Sequence, residues 1–190
     1  MDFSVDINGR CLEYYDTEHI YLVDGVIVPS VTQLLAGNEY EGVDRAVLMR
    51  AARHGTRVHE AIQRYCETGA EEDLEELRNF KFLQRQYKFG VKECEVPVII
   101  DIAGITCAGR LDMVLLMDKA IGGADIKCTA TLNKEKLAYQ LNLYRIGYRQ
   151  CYGIEWNFLR GIHLKGNTRK FVEIPINEEM TEEYVKERIK

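Results

Sequence analysis

Charged side chains suited to a metal-assisted reaction occur in two short motifs near the middle of the chain. The sequence Gly-Arg-Leu-Asp ends at Asp112, and after twelve intervening residues Asp-Ile-Lys spans Asp125, Ile126 and Lys127. Side chains alternate between faces along a strand, so Asp125 and Lys127 should share one site while Ile126 enters the opposite packing layer. The turn-rich segment DKAIGG predicts that the two strands return side by side, which brings Asp112 to the same place.

Two carboxylates and an ammonium group at one point predict a site for a hard divalent cation. Mg²⁺ and Mn²⁺ bind one or two carboxylates and complete their coordination with waters or substrate phosphate. The structural alternative is a salt bridge from Asp112 to Arg110 or Lys127, because an ionised carboxylate within an apolar strand needs a partner.

Two predicted helices carry further candidates. The helix predicted from Val43 to Cys66 has an apolar stripe, and His59 lies beside that stripe, where a lone histidine is more often a core residue than a ligand. The helix predicted from 135 to 150 places Gln140 and Tyr144 on one surface as i and i+4 neighbours. The alternative for Tyr144 is a position in the core.

Taken in order, GRLD, D-x-K and Q-x-x-x-Y resemble the active-site core of the PD-(D/E)XK nuclease superfamily, in its RecB-like exonuclease branch. The string GTRVHE ending at Glu60 resembles the G-x-x-x-H-E motif of the same branch. The resemblance covers residues 21–148 approximately. It implies an α/β fold with a central mixed β-sheet flanked by helices, a restriction-endonuclease-like core, in a single domain over residues 1–190.

The resemblance also implies roles for individual residues. His59, Asp112, Asp125 and the backbone carbonyl of Ile126 would hold Mg²⁺ or Mn²⁺, and a neutral imidazole ligand favours Mn²⁺ somewhat. Lys127 would act on the reacting phosphate beside the catalytic Asp112 and Asp125. Candidate DNA contacts and a candidate outer metal ligand complete the set: Ser30, Thr32, Gln140 and Tyr144 for DNA, and Glu95 for the metal.

Structural alternatives stand beside these implied roles. Ser30 or Thr32, in the motif His19-x-Tyr21 followed by PSVT, is equally explained as an ordinary helix cap. Glu95 is explained as a solvated charge on an edge strand. The sequence also departs from the family, because AIGGA precedes the D-x-K motif and Cys128 follows it where a hydroxyl residue is usual. The Gly-Gly pair predicts a loosely specified strand entry.

The whole chain favours one soluble, cytoplasmic α/β unit. It has 190 residues, and no apolar run approaches the roughly 20 residues that span a bilayer. Six cysteines occur without a C-x-x-C motif, so we expect neither a disulfide framework nor an iron–sulfur cluster. The net charge of −5 argues against indiscriminate nucleic-acid binding, yet a local basic cluster ahead of His59 permits one DNA-facing side: Arg45, Arg50, Arg53, His54 and Arg57.

The remaining pattern predicts strands over 11–28 and 91–117, with turns at Asp24-Gly25 and Ala103-Gly104. Helices are predicted over 71–87 and 178–190, and a hairpin is predicted about residues 165–167. Trp156 is expected to be a packing residue.

The function predicted is a metal-dependent DNA exonuclease that acts on single-stranded DNA or DNA ends, with a recombination protein as a candidate partner and no membrane association. One alternative is a catalytically idle nuclease-fold DNA-binding module of a recombination or CRISPR-type complex. The other is an α/β domain whose acids are structural.

Overall fold

Two β-sheets form the framework of the chain in a computed structural model that describes residues 3–37 and 42–189. The first is an antiparallel sheet in the order β1-β2-β3-β4, with β1 Phe3–Ile7, β2 Arg10–Tyr15, β3 Ile20–Val23 and β4 Val26–Val28. The second has the order β5-β6-β7-β8-β9, with β5 Gly90–Ile102, β6 Ile105–Met117, β7 Ala120–Lys127, β8 Phe158–Lys165 and β9 Thr168–Ile174.

The five-stranded sheet is mixed, which confirms the predicted fold class. Strands β7 and β8 pair in parallel, whereas β5–β6, β6–β7 and β8–β9 pair antiparallel. A parallel pair needs a crossover, and helix α4, Lys134–Tyr152, supplies it between β7 and β8. The antiparallel pair β6–β7 is the one that carries Asp112 and the Asp125–Lys127 motif.

Helices cover both faces of this sheet and create two apolar cores. Helices α2, Arg45–Thr68, and α3, Glu75–Tyr87, pack on one face of the sheet. There they bury strand side chains such as Met113 and Ile126. Helix α4 packs on the other face together with α1, Val31–Leu34, α5, Glu178–Arg188, and the four-stranded sheet. The helix predicted from residue 71 begins at Glu75, and Lys190 of the predicted closing helix lies outside the described residues.

Tight turns connect the neighbouring antiparallel strands. Asp24 and Gly25 both have positive φ, as do Ala103 and Gly104, so both predicted turns are confirmed. The β6–β7 turn is made by Asp118 and Lys119, at φ 44° and 72°, rather than by the glycine pair that follows.

The glycine pair Gly122–Gly123 is buried within β7, so the expectation of a loosely specified strand entry was wrong. A Cβ on Gly123 would lie 2.1 Å from the ring of Trp156, and one on Gly122 would lie 2.3 Å from the carbonyl oxygen of Phe158. The absence of side chains at these glycines allows Trp156 and Phe158 to pack directly on β7. Trp156 is 1% exposed and is a packing residue, as predicted. Among the helices in residues 3–37 and 42–189, none is long and apolar enough to cross a membrane.

Candidate active site

His59 on helix α2 and Asp112 on strand β6 lie next to each other. His59 Nδ1 lies 3.5 Å from Asp112 Oδ1, and His59 Nε2 lies 3.2 Å from the carbonyl oxygen of Ile126. The second carboxylate oxygen of Asp112 accepts a 2.6 Å hydrogen bond from the amide of Ile126. The predicted ligand atoms on α2, β6 and β7 are therefore neighbours.

Asp125 and Lys127 share the opposite face of β7, as strand alternation requires. Lys127 Nζ lies 2.7 Å from Asp125 Oδ2, and Asp125 is only 1% exposed. Ile126, between them, enters the core beneath α2 and α3. The buried carboxylate thus has a cationic partner, and the two side chains meet at the end of the strand.

Glu95 belongs to the same site, although it lies on the edge strand β5. It falls between the register pairs Cys94–Met113 and Val96–Leu111, which places it opposite Asp112. Its backbone has φ 51°, a left-handed conformation that is uncommon outside glycine and often marks a functional constraint. The side chain of Glu95 is 19% exposed, and its Oε2 forms an ion pair with Arg110 Nε at 2.6 Å. The interpretation as a solvated charge on an edge strand therefore does not fit.

His59, Glu95 and Asp112 together form a set of donors that could hold a divalent cation. Ligand atoms of His59, Glu95 and Asp112 lie within 4.8 Å of one another, and all three residues are half-buried. One imidazole nitrogen with carboxylate oxygens suits divalent ions such as Mn²⁺, Mg²⁺ or Zn²⁺, and the donors do not by themselves select one. Asp125 lies outside this trio and joins it through electrostatic coupling to Asp112.

The protonation of the cluster reflects crowded negative charge. Burial would lower the pKa of His59, but the carboxylates of Asp112, Asp125 and Glu95 together outweigh burial and raise that pKa to about 9. Burial and the charge of Asp112 raise the pKa of Glu95 to about 7. Burial also raises the pKa of Asp125 to about 6, against the opposing effect of Lys127.

Asp112 behaves differently from the other two acids. Burial acts to raise its pKa, but the charge and hydrogen bond of His59, with help from Lys127 and the Ile126 amide, hold that pKa below its usual range. The cluster therefore keeps Asp112 ionised, while Glu95 takes up a proton near neutral pH. Such a cluster gains from a divalent cation, which would neutralise the same charges.

Three of the four residues predicted to contact DNA line one cleft of about 750 Å³, and Gln140 does not. Ser30, Thr32 and Tyr144 line it together with His59, Glu95 and Asp112. The side chain of Ser30 caps α1, accepting a 3.0 Å hydrogen bond from the amide of Gln33. The capping role of Ser30 is thus present, at the start of a helix of only four residues.

Gln140 and Tyr144 are both buried, at 9% and 4% exposure. Burial raises the pKa of Tyr144 well above its ordinary value. Its ring packs on Gly109, where an added Cβ would lie 2.9 Å from the ring. Tyr144 is thus a core residue with one side at the cleft, and Gln140 supports it from behind.

The four-stranded sheet supplies a wall of the cleft that the sequence pattern did not reveal. Tyr14 and Tyr21 stack at 4.5 Å between ring centroids, and the guanidinium of Arg110 lies 5.6 Å from the Tyr14 ring. His19 Nδ1 lies 2.9 Å from the Tyr14 hydroxyl. The alternating aromatic residues of β2 and β3 were the signal available in the sequence, together with His19-x-Tyr21.

Comparisons with known proteins give little further information. No protein-family model matches the chain, and no curated protein matches it. A crystal structure of a protein named SSO0001 is similar over 85% of this chain and 75% of that chain, with 17% identity and a TM-score of 0.44.

Proposed function

We propose that this chain is a divalent-metal-dependent deoxyribonuclease that acts on single-stranded DNA or on DNA ends. One observation carries the proposal: a half-buried His59–Glu95–Asp112 donor set in a cleft of about 750 Å³, coupled electrostatically to the Asp125–Lys127 ion pair. His59, Asp112 and the ion pair occur in the motifs that resemble RecB-like nucleases, whereas Glu95 lies outside them. The exonuclease mode, the metal and the DNA substrate come from that resemblance.

His59, Glu95 and Asp112 would hold the first ion, and Asp125 with the carbonyl oxygen of Ile126 would complete the metal-binding set. Bound there, Mg²⁺ or Mn²⁺ supplies positive charge to the phosphate and lowers the pKa of a bound water. Glu95 thereby moves from an outer to a direct ligand in the proposal, because its carboxylate belongs to the trio within 4.8 Å.

Lys127 would act on the phosphodiester itself. Its ammonium group is held by Asp125 at 2.7 Å, and a lysine has three N–H donors with which to contact more than one oxygen. A cation fixed in advance stabilises charge that develops on the phosphate without reorganisation during the reaction. Asp125 would thus position Lys127 as well as contribute charge to the metal site.

His59 must give up a proton to become a ligand, since its pKa of about 9 keeps it cationic at neutral pH in the metal-free protein. Tyr144 and Gly109 would shape the floor of the cleft, and Ser30 and Thr32 would border the DNA backbone. The cytoplasm and a recombination protein are the proposed setting and partner.

The second candidate is a DNA-binding module of the same fold that has lost turnover. The intact Asp112, Asp125 and Lys127 favour the enzyme, because a binding module has no need to keep two carboxylates beside a lysine. Mn²⁺ diffused into crystals separates the candidates from a purely structural cluster. Anomalous density among His59, Glu95 and Asp112 supports a metal site, and its absence at millimolar Mn²⁺ contradicts one.

End dependence tests the substrate. Supercoiled plasmid, linearised plasmid, and linear and circular single-stranded oligonucleotides are incubated separately with the protein and Mn²⁺, and early time points are resolved on gels. We expect the linear forms to be degraded and both circular forms to survive. Rapid cutting of the circular single strand would identify a structure-selective endonuclease, and cutting of supercoiled plasmid would identify a restriction-like enzyme.

A further inference from the structure

The first half of α2, from Arg45 to Arg57, contributes no buried side chain to the core. The buried side chains of α2 begin at Val58, and every residue of this segment is exposed or half-exposed. Most helices in proteins are stabilised by packing of an apolar face, and this segment, about 20 Å long, lacks that support. We call the segment Arg45–Arg57 the α2 arm.

The α2 arm concentrates positive charge in a chain that is acidic overall. Between Asp44 and Glu60 the sequence contains no acidic residue. Arg45, Arg50 and Arg53 are exposed and form no hydrogen bond or ion pair with any residue in 3–37 or 42–189. By contrast, Arg57 and His54 pair with Glu72 and Glu76, at 2.8 Å and 3.0 Å.

One face of the arm continues the wall of the catalytic cleft. Thr56, Glu60 and Gln63 on α2 line the cleft beside His59. Because residues seven and eleven apart on a helix share a face, Met49 and Arg45 extend the row of Thr56, and Arg53 extends the row of Glu60. Met49 is 46% exposed between these arginines.

We propose that the α2 arm is a guide that holds a single strand of nucleic acid and directs it toward His59. This proposal rests on the proposed function and names its substrate form. Arg45 and Arg53 contact phosphates, Arg50 adds charge from the flank, and Met49 contacts unpaired bases. The continuity of the arm with the cleft selects a strand of the substrate rather than an unrelated acidic ligand.

A single strand fits this surface better than a duplex. In a duplex the base edges lie inside the grooves, so an apolar side chain between two phosphate-binding arginines has no base face to meet. In a single strand the bases are unstacked and are bound by apolar or aromatic side chains next to a basic track. An acidic protein partner would use the arginines but would give no reason for the row to lead into the cleft.

The test measures binding without turnover. Fluorescein-labelled dT16 and a 16-base-pair duplex are titrated in EDTA with wild type and with the triple variant Arg45→Ala, Arg50→Ala, Arg53→Ala. Alanine preserves helix propensity, and circular dichroism verifies the fold. The matched control replaces three exposed basic residues outside the cleft: Arg85→Ala, Lys119→Ala and Lys170→Ala.

The arm variant should lose on the order of 10²-fold in dT16 affinity at 50 mM salt, and its slope of log affinity against log salt should fall by about 1.4, since the two phosphate contacts of Arg45 and Arg53 contribute roughly 0.7 each. The control should match wild type in slope. Met49→Ser should weaken dT16 binding at an unchanged slope.

An arm variant that binds dT16 with the wild-type slope would overturn the proposal. Equal losses of affinity for dT16 and for the duplex would overturn the single-strand assignment. Poly-glutamate that displaces labelled dT16 from wild type as well as unlabelled dT16 does would also overturn it. If wild type hydrolyses no DNA while the arm variant still loses dT16 binding, the guide stands and the nuclease function fails.

Discussion

Replacing Glu95 by Gln should stabilise the metal-free protein at pH 8 and leave its stability at pH 4 almost unchanged. In the folded chain the pKa of Glu95 is raised to about 7 by burial and by the charge of Asp112. The folded state therefore binds this proton more tightly than the unfolded state does. For an acid shifted in this direction, stability is greatest below the unfolded pKa and is lost as pH rises through the folded pKa.

The size of the effect follows from the shift. The pKa of Glu95 moves from 4.5 to about 7, and each unit corresponds to 1.36 kcal/mol, which sets an upper limit of about 3 kcal/mol at pH 8. Coupling to Asp112 and the 19% exposure of the side chain reduce this, so we expect about 1–3 kcal/mol. Gln cannot ionise and can still accept the hydrogen bond from Arg110.

Urea unfolding at pH 4 and pH 8 in EDTA measures the difference, with the fluorescence of Trp156 as the signal because it is the one tryptophan in the chain and is buried. Glu18→Gln, an exposed residue in the turn before β3, is the matched control. The same Glu95→Gln variant should bind Mn²⁺ more weakly. A variant less stable than wild type at pH 8, or equally stabilised at both pH values, would refute the electrostatic account of the cluster.

Lys127→Ala should keep its Mn²⁺ affinity in calorimetric titration but hydrolyse DNA about 10² to 10³ times more slowly, since one preorganised stabiliser is lost; loss of Mn²⁺ binding would move Lys127 to a structural role. Gly123→Ala should destabilise the protein by about 1–3 kcal/mol in urea, because its new Cβ would meet the Trp156 ring at 2.1 Å. Gly55→Ala, with nothing within 4 Å, is its control and should be neutral or stabilising. A Gly123→Ala variant as stable as wild type would show that the ring can move aside.

Local sequence patterns predicted the parts of the fold that depend on local geometry. The Asp24-Gly25 and Ala103-Gly104 turns follow from their glycines, which accept positive φ, and the shared face of Asp125 and Lys127 follows from strand alternation. Strand β1 was missed, although Asn8-Gly9, with φ of 54° and 78°, is a strong hairpin signal.

The features that the sequence did not predict depend on contacts between distant residues. Nothing local to Gly122-Gly123 indicates that Trp156 and Phe158 will pack against them from the next strand. Similarly, Glu95 lies beside His59 and Asp112 because β5 pairs with β6 and because the backbone of Glu95 adopts a left-handed conformation. An alternating pattern of charges on an edge strand gives no sign of either event.

Hydrolysis of an end-labelled linear oligonucleotide by wild type and by Asp112→Ala, each with and without excess Mg²⁺ or Mn²⁺, tests the central claim most directly. Asp112 contacts both His59 and the Ile126 amide, so its loss would remove a proposed metal ligand. Because these partners hold the pKa of Asp112 below its usual range, its ionised carboxylate also stabilises the fold near neutral pH. We predict metal-dependent cleavage by wild type, and no cleavage by an Asp112→Ala protein that stays folded by circular dichroism but unfolds at a lower temperature. Turnover by wild type in EDTA, or by Asp112→Ala in excess Mg²⁺, would contradict the account.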